Sequence, residues 1–397
     1  MNYALDHQAL TIALCGRIDS ANAAACEEAL LQICKENTYT FLKLDANKLE
    51  YIASAGLRIV LKLIKTNPHI KMINVSSEVY DILQMTGFTD LLTVKRSMRQ
   101  ISVKDKQWIA QGRHGVVYRL DAETIVKVYV DNTTVDEIQD ELNRAKRAFI
   151  QGIPTAISYD IVRCDDKIGV VFEMLHAQTL AKQIEQHPDK MEAYAQKFVN
   201  LLKSVNTIKV SDDSYENTKD IYNAWVDGMA KYLPAYEVDI LHSMIDAIPD
   251  RQTLIHGDYH LGNVMMQDDE LVLIDMGDIS KGHPLIDLAG TSLVMVFARE
   301  ASHQVTGINP ELCHQFWIKV LSCYFHTEQP ELLEQINNMC RLLALIKFSV
   351  TPVMGNVTGP MLTNVVAAIR ERAIPNASNI IRAISVLGAM IDTTEKK

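Results

Sequence analysis

From Ala9 the chain is apolar as far as Cys15, breaks at Gly16-Arg17, and then takes up helical spacing in an Ala-rich stretch that reaches about Glu36, with Ser20 as its expected N-cap. The two periods keep alternating. Phe41 to Asp45 predicts a strand, and Ala55 to Lys65 a helix with Leu57, Val60, Leu61 and Ile64 along one face. Lys71 to Val75 predicts another strand, and Ser77 to Thr86 a helix closed by Gly87. Strand and helix in turn predict a small α/β sandwich. It carries no Ser/His/Asp constellation, no metal-ligand cluster and no phosphate-gripping glycine loop, so a binding or regulatory module is expected here.

Near Lys95 to Lys106 the sequence turns polar and basic without Gly or Pro runs, which predicts a first domain over 1–97 and a short linker over 98–106. Short strands are expected at Trp108–Gln111, Val116–Leu120, Ile125–Tyr129, Ile157–Arg163 and Gly169–Met174, with a charged helix over Val135–Ile150 between the third and fourth. After Leu175 the spacing is almost entirely helical. The second domain, 107–397, therefore divides into a strand-rich lobe (107–175) and a helical lobe (176–397), and a cleft between such lobes is where a site is expected.

Composition narrows the function classes. A chain of 397 residues suits two or three domains, and 48% hydrophobic with 22% charged residues is globular, not disordered. A net charge of −10 disfavours a nucleic-acid partner. No run approaches the roughly 18 uninterrupted apolar residues of a membrane span, and MNYALDHQAL lacks the basic and apolar regions of a signal peptide, so no membrane partner and a cytoplasmic location are expected. The seven cysteines are scattered without a CxxC pair, which predicts reduced, mostly buried thiols.

Candidate chemistry sits in the second domain. Gly112-Arg113-His114-Gly115 joins two strands, where glycine lets backbone approach a polyphosphate, although most such turns are ordinary hairpins. Lys127 lies in the apolar strand Ile125-Val126-Lys127-Val128-Tyr129; it either snorkels outward or turns inward to pair phosphates and a helix carboxylate such as Glu141. His256-Gly257-Asp258-Tyr259-His260-Leu261-Gly262-Asn263 and Leu273-Ile274-Asp275-Met276-Gly277-Asp278 then bring a base, a neutral oxygen ligand and an anionic ligand toward one point. One Asp and one Asn, completed by substrate phosphates, suit the oxygen-only shell of Mg²⁺. Each motif alone reads as an acidic loop or a turn; their order along one chain points to phosphoryl transfer.

Two resemblances follow. Tyr51-Ile52-Ala53-Ser54-Ala55-Gly56-Leu57-Arg58, with Gly16-Arg17-Ile18-Asp19 and Asp45, makes residues 1 to 97 resemble a STAS domain, the fold of bacterial anti-sigma factor antagonists. That resemblance implies a protein partner and makes Ser54 a candidate phosphorylation site; phosphorylation adds about −1.5 to −2 charges, which a docked surface does not tolerate. The bland alternative is that Ser54 only caps a helix. Residues from about 107 to 390 resemble the aminoglycoside phosphotransferase and choline kinase family, small-molecule relatives of protein kinases. The resemblance implies ATP and Mg²⁺ as cofactors, with Gly112 and Gly115 covering phosphate, Lys127 holding it and Glu141 orienting Lys127. It further implies a hinge for adenine at Glu173 to Leu175, Asp258 as base, Asn263 and Asp275 as metal ligands, and His256 and Asp287 bracing the catalytic loop. The fold class expected is thus α/β plus α+β, a STAS-like sandwich followed by a two-lobed kinase-like domain. Gly257 replaces the Arg of a protein kinase, and the stretch between Asp275 and Pro284 is short, which leaves little platform for a peptide.

The acceptor is less determined. Between Val210 and Asp250 stand nine acids and two bases, with Tyr215, Tyr222, Trp225, Tyr232 and Tyr236 among them. This composition would suit a cationic alcohol, but an amphipathic helix pair with its rings packed inward and its carboxylates in water is the commoner source of it and is expected for most of these residues. Three functions fit: a small-molecule phosphotransferase, a kinase whose target is a STAS serine such as Ser54 of its own chain, or a catalytically silent scaffold.

Overall fold

A computed structural model describes residues 1–112, 115–130, 133–210, 214–297 and 306–394. The chain divides into two compact units, one of residues 1–106 with 161–169 and the other of residues 107–160 with 170–397.

The first unit is an α/β sandwich. Its sheet runs in the order β1 (Tyr3–Asp6), β2 (Ala9–Ile18), β3 (Phe41–Ile52), β4 (Ile70–Val75), β5 (Thr93–Arg96), and the helices α1 (Ala23–Glu36), α2 (Ser54–Thr66) and α3 (Ser77–Met85) connect the parallel neighbours. Period-two alternation buries Leu10, Ile12 and Leu14 of β2 and Leu42, Leu44 and Ala46 of β3, and these pack with Val60, Leu63, Val79 and Leu83 into one core. Two local expectations change. Asn22, not Ser20, precedes α1, because Asp19 and Asn22 first bond to each other across a turn. Ala53 stands at the N-cap of α2, so Ser54 is its exposed first residue and makes no capping bond. Residues 99–101, expected in the linker, form a strand β6 (Arg99–Ile101) parallel to Val162–Cys164.

The second unit begins with antiparallel strands β7 (Gln107–Gln111), β8 (Gly115–Arg119) and β9 (Thr124–Tyr129), followed by α4 (Val135–Ile150); of the hairpin β10 (Ser158–Cys164) and β11 (Lys167–Glu173), residues 161–169 count with the first unit and the outer ends with the second. A reciprocal capping box between Thr134 and Glu137 starts α4. The helical lobe holds α5 (Leu180–Gln186), α6 (Met191–Asn206), α7 (Thr218–Gly228), α8 (Ala235–Asp246), α9 (Leu285–Ser292), α10 (Pro310–Phe325), α11 (Pro330–Met354), α12 (Gly359–Ala368) and α13 (Ala377–Thr394). Its core gathers Phe198, Tyr259, Phe316, Trp317 and Leu343, with Ile380, Ile384 and Leu387 of α13 buried in it. The continuous helical run Gly359–Thr393 is long and apolar enough to cross a membrane by length and composition. Short strands interrupt this lobe where only helix was expected: Thr253–Ile255 pairs with Ser280–Gly282, and Val264–Gln267 with Glu270–Leu273. These two ladders flank the segments 256–263 and 274–279.

Candidate active site

Alternation along β9 sends Val126 and Val128 inward and leaves Lys127 on the other face of the strand. There its ammonium lies 3.1 Å from Asp275 Oδ1 and 3.6 Å from Glu141 Oε1. Burial works against this charge, but Asp275 and Glu141 outweigh it and the Lys127 pKa is raised. The lysine therefore turns inward and does not snorkel. Glu141 reaches it from the middle of α4, one turn beyond the buried Ile138.

The segment 256–263 is held from below by one carboxylate. Asp287, in the first turn of α9 and fully buried, accepts hydrogen bonds from the Gly257 amide at 2.8 Å, the His256 amide at 3.1 Å and Asn206 Nδ2 at 2.8 Å. His256 is buried as well; its Nδ1 accepts from the Asp258 amide at 3.3 Å, and burial lowers its pKa so that the ring is neutral. Gly257 has a φ of +81°, and a Cβ there would stand 2.4 Å from the Asp278 carbonyl oxygen. The protein-kinase arginine could not occupy this backbone.

These contacts aim Asp258. Its Oδ2 accepts from Asn263 Nδ2 at 3.2 Å and lies 3.4 Å from His260 Nε2, while the Asp258 carbonyl also accepts from Asn263 Nδ2 at 2.9 Å. Its Oδ1 accepts from Lys347 Nζ at 2.9 Å. Burial pushes the Asp258 carboxyl up, yet Lys347 and His260 hold it well below the usual carboxylate range. Because the Asn263 amide nitrogen is engaged with Asp258, its Oδ1 is left as an oxygen donor. Asp275 sits at a φ of +60°, unusual outside glycine, at the start of the turn after the strand ending at Leu273. Asn263 and Asp275, brought close by the Ile274 amide donating to the Asn263 carbonyl at 3.0 Å, thus offer an oxygen-only pair of the kind that suits Mg²⁺.

Two cavities adjoin these groups. One, of about 250 Å³, brings Glu141, Asp258 and Asp275 into one wall with Glu137, Asp278 and Arg144. The other, of about 160 Å³, is lined by Tyr222, Trp225, Glu216, Asp278, Arg144 and Lys347. Arg144 fixes their shared edge by donating to the Gly277 carbonyl at 3.1 Å.

Other expected positions stand differently. Gly112 and Gly115 close a hairpin, with the Gly112 amide donating to the Gly115 carbonyl at 2.9 Å, and a Cβ on Gly115 would meet Val128 O at 2.4 Å; close strand packing thus already requires that glycine. Arg113 and His114 lie outside the described residues. At the expected hinge, the Glu173 amide donates to Ile157 O at 2.9 Å and the Met174 amide to Glu123 O at 2.7 Å, so neither of these two amides is open to a ligand. Among the described residues, the aromatic and acidic side chains of 210–250 are dispersed. Tyr215 and Tyr222 are core residues, Tyr236 is exposed, Glu237 pairs with Arg370 and Asp250 with Lys219; Tyr222, Trp225 and Glu216 alone of that set line the smaller cavity. Asp212 and Asp213 lie outside the described residues.

Sequence reasoning missed Lys347, His260, Asn206 and Arg144. His260 stood inside the quoted motif without a role. Lys347 had a readable signal: Cys340, Leu343, Ala344 and Val350 form the buried stripe of α11, and a lysine at position 347 falls on that stripe.

Comparison with known proteins came to the following. The model of the phosphotransferase enzyme family matches residues 107–308, and that of the STAS domain matches residues 2–101. No curated protein matches. Among solved structures, the ADP-bound aminoglycoside phosphotransferase APH(2″)-Ib is 15% identical over 76% of this chain and 98% of its own, with a TM-score of 0.46. A choline/ethanolamine kinase family protein from Mesorhizobium loti is 15% identical over 70% of this chain and 91% of its own, with a TM-score of 0.41.

Proposed function

Because the chain belongs to the phosphotransferase enzyme family, with a STAS domain fused ahead of it, we propose that its second unit transfers the γ-phosphoryl group of ATP to a hydroxyl of a small molecule. The observation that carries this reading is the single wall that joins Glu141, Asp258 and Asp275, with Lys127 bridging the first and last. Lys127 binds the nucleotide phosphates, kept charged by its two carboxylates. Asn263 and Asp275, together with phosphate oxygens, would hold Mg²⁺, which would supply charge neutralisation at the transferred group. Asp258 accepts a hydrogen bond from the acceptor hydroxyl and takes its proton as the new O–P bond forms and the bond to ADP breaks. The hinge receives the base through the Leu175 amide. The reaction belongs in the cytoplasm, where ATP is abundant and the seven free thiols stay reduced.

The acceptor occupies the cavity of about 160 Å³, stacked on Trp225 and Tyr222. Glu216 and Asp278 would receive a cationic group, although Arg144 and Lys347 in the same lining equal them in number. The STAS unit recruits a protein partner. The test is ADP release from Mg·ATP by wild type and Asp258→Ala over a panel of cationic, zwitterionic and neutral alcohols. Release that one class stimulates and the variant abolishes is the expected result; nucleotide binding with no acceptor-dependent release would overturn the small-molecule reading.

A second reading is favoured by one observation: Ala53 occupies the cap, which leaves the Ser54 hydroxyl exposed and unbonded at a helix N-terminus. In that reading Ser54 is itself a phosphorylation target. Intact mass after incubation with Mg·ATP decides it, since a gain of one phosphate in wild type that Ser54→Ala loses would move the acceptor from solution to the STAS unit.

A further inference from the structure

Lys347 is the charged group that the phosphotransfer motifs do not account for. It projects from the C-terminal half of α11, its side chain is 5% exposed, and its neighbours on the helix face are core residues. A lysine stem could fill that place as an apolar packing element, but the ammonium sits at the chemistry. Nζ donates to the Gly257 carbonyl at 2.6 Å and to Asp258 Oδ1 at 2.9 Å. Burial disfavours this charge, and the Asp258 carboxylate more than restores it, so Lys347 stays protonated. An ammonium has three hydrogens, and two are placed. Among the described residues the third has no partner, and Lys347 lines the smaller cavity together with Gly257, the chain neighbour of Asp258.

Counter-ion duty alone does not explain this arrangement. Breaking one buried ion pair is costly, whereas replacing both members with apolar groups is often neutral, so buried pairs carry little stability for their own sake. Here the Asp258 carboxylate already has Asn263 and His260 on Oδ2. What Lys347 adds is a hydrogen-bond donor that touches the carboxylate from the smaller cavity, while Asp258 lines the larger one and the two cavities meet along Arg144, Gly277 and Asp278.

We infer that Lys347 is a catalytic residue of the transfer step: its third N–H holds the acceptor oxygen while Asp258 holds the acceptor hydrogen. The inference rests on the phosphotransfer reading above. With the oxygen gripped by a cation and the hydrogen by a carboxylate, the hydroxyl is oriented and polarised before it attacks. The O–H electron pair becomes the new O–P bond, the proton passes to Asp258, and the pair of the breaking P–O bond leaves on ADP. The ammonium remains protonated throughout and stabilises negative charge on the attacking oxygen. Lys127 and Lys347 thereby divide the work, one on the nucleotide side and one on the acceptor side.

The test uses the full-length protein with Mg·ATP and water as the acceptor, which needs no identified substrate. Turnover and Mg·ATP affinity are measured for wild type, Lys347→Met, Lys347→Arg, Lys347→Ala, and Lys347→Met combined with Asp258→Asn. The expected result is a fall in hydrolysis of about 10²–10³-fold in Lys347→Met, as for the loss of one donor to a developing oxyanion, with Mg·ATP affinity within about threefold of wild type. Lys347→Arg recovers at least about tenfold of the loss, and propylammonium recovers part of it in Lys347→Ala. The double variant falls no lower than Asp258→Asn alone, because the two groups act on one hydroxyl. Lys347→Met that keeps turnover within threefold overturns the inference, as does affinity lost in parallel with turnover. So do a Lys347→Arg that is folded yet as inactive as Lys347→Met, and an absence of amine rescue, which together would leave packing as the role. Wild type that neither binds nor hydrolyses ATP overturns the phosphotransfer reading, and this inference with it.

Discussion

Gly257→Ala is the most demanding test of how the catalytic segment is built. Two penalties fall on the new methyl group. The left-handed backbone at φ +81° is disfavoured for an L-residue by about 1–2 kcal/mol. The methyl would also stand 2.4 Å from the Asp278 carbonyl oxygen and 2.9 Å from Asp278 Cβ, and a backbone oxygen cannot swing aside as a side chain can. Overpacking of that kind adds about 1–3 kcal/mol, giving about 2–5 kcal/mol in total. Gly152→Ala is the control in the same unit, since Gly152 has a φ of +93° with nothing within 4 Å of its missing Cβ, and it should lose only the backbone part. All three tryptophans, Trp108, Trp225 and Trp317, belong to the second unit, so urea titration followed by tryptophan fluorescence reads that unit in the intact chain. The midpoint of Gly257→Ala should fall clearly below that of Gly152→Ala. Equal losses, or a Gly257→Ala within 1 kcal/mol of wild type, would refute the close packing of the 256–258 segment on Asp278.

Three further outcomes are expected. Lys127→Met removes the ammonium between Glu141 and Asp275 and should weaken Mg·ATP binding at least about tenfold and turnover by about 10²–10³-fold, measured by calorimetric titration and ADP release. Asp287→Asn turns one acceptor for the His256 and Gly257 amides into a donor and should lower stability by about 3 kcal/mol in the same urea assay, with turnover falling as well. His283 is buried, and burial first, then the Arg251 cation, pushes its imidazole down to about 4. The unfolded chain, titrating near 6.5, binds the proton more readily, so the contribution is complete above about pH 6.5, declines as pH falls toward 4 and is gone below it, about 3 kcal/mol in all. His283→Asn keeps an acceptor for the Leu285 amide and should lose correspondingly less stability than wild type between pH 7 and pH 4.

Much of this was legible because local rules agree with the fold. Alternation fixed the inward face of β2 and β3, helical spacing placed α4 at Val135–Ile150, and the spacing of Asp258 and Asn263 within one loop put them within hydrogen-bond reach. The boundaries slipped where side chains compete with the backbone, as at Asp19 and Asn22, or where a cap carries no polar group, as at Ala53. Hinge availability was not legible at all, since whether the Met174 amide is free depends on Glu123, some fifty residues earlier in the chain. For the aromatic run Tyr215 to Tyr236 inward packing was the better reading, and it holds for Tyr215 and Tyr222 but not for the exposed Tyr236, because composition does not say which ring packs inward. Lys347 escaped for a related reason: it meets Asp258 across 89 residues, and a single lysine in an apolar helix reads as a stem that reaches solvent.

The position of Lys347 also sets a timetable. The match to the phosphotransferase family ends at residue 308, while the helix that carries this lysine runs from Pro330 to Met354. On the ribosome, at about 5–20 residues per second, position 347 follows position 258 by roughly 4–18 s. During that interval the nascent catalytic loop has no ammonium for its carboxylate and no donor for the Gly257 carbonyl. If Lys347 acts as inferred, phosphoryl transfer would switch on only once the helix Pro330–Met354 docks, and a fragment trimmed to the family boundary would be born without it.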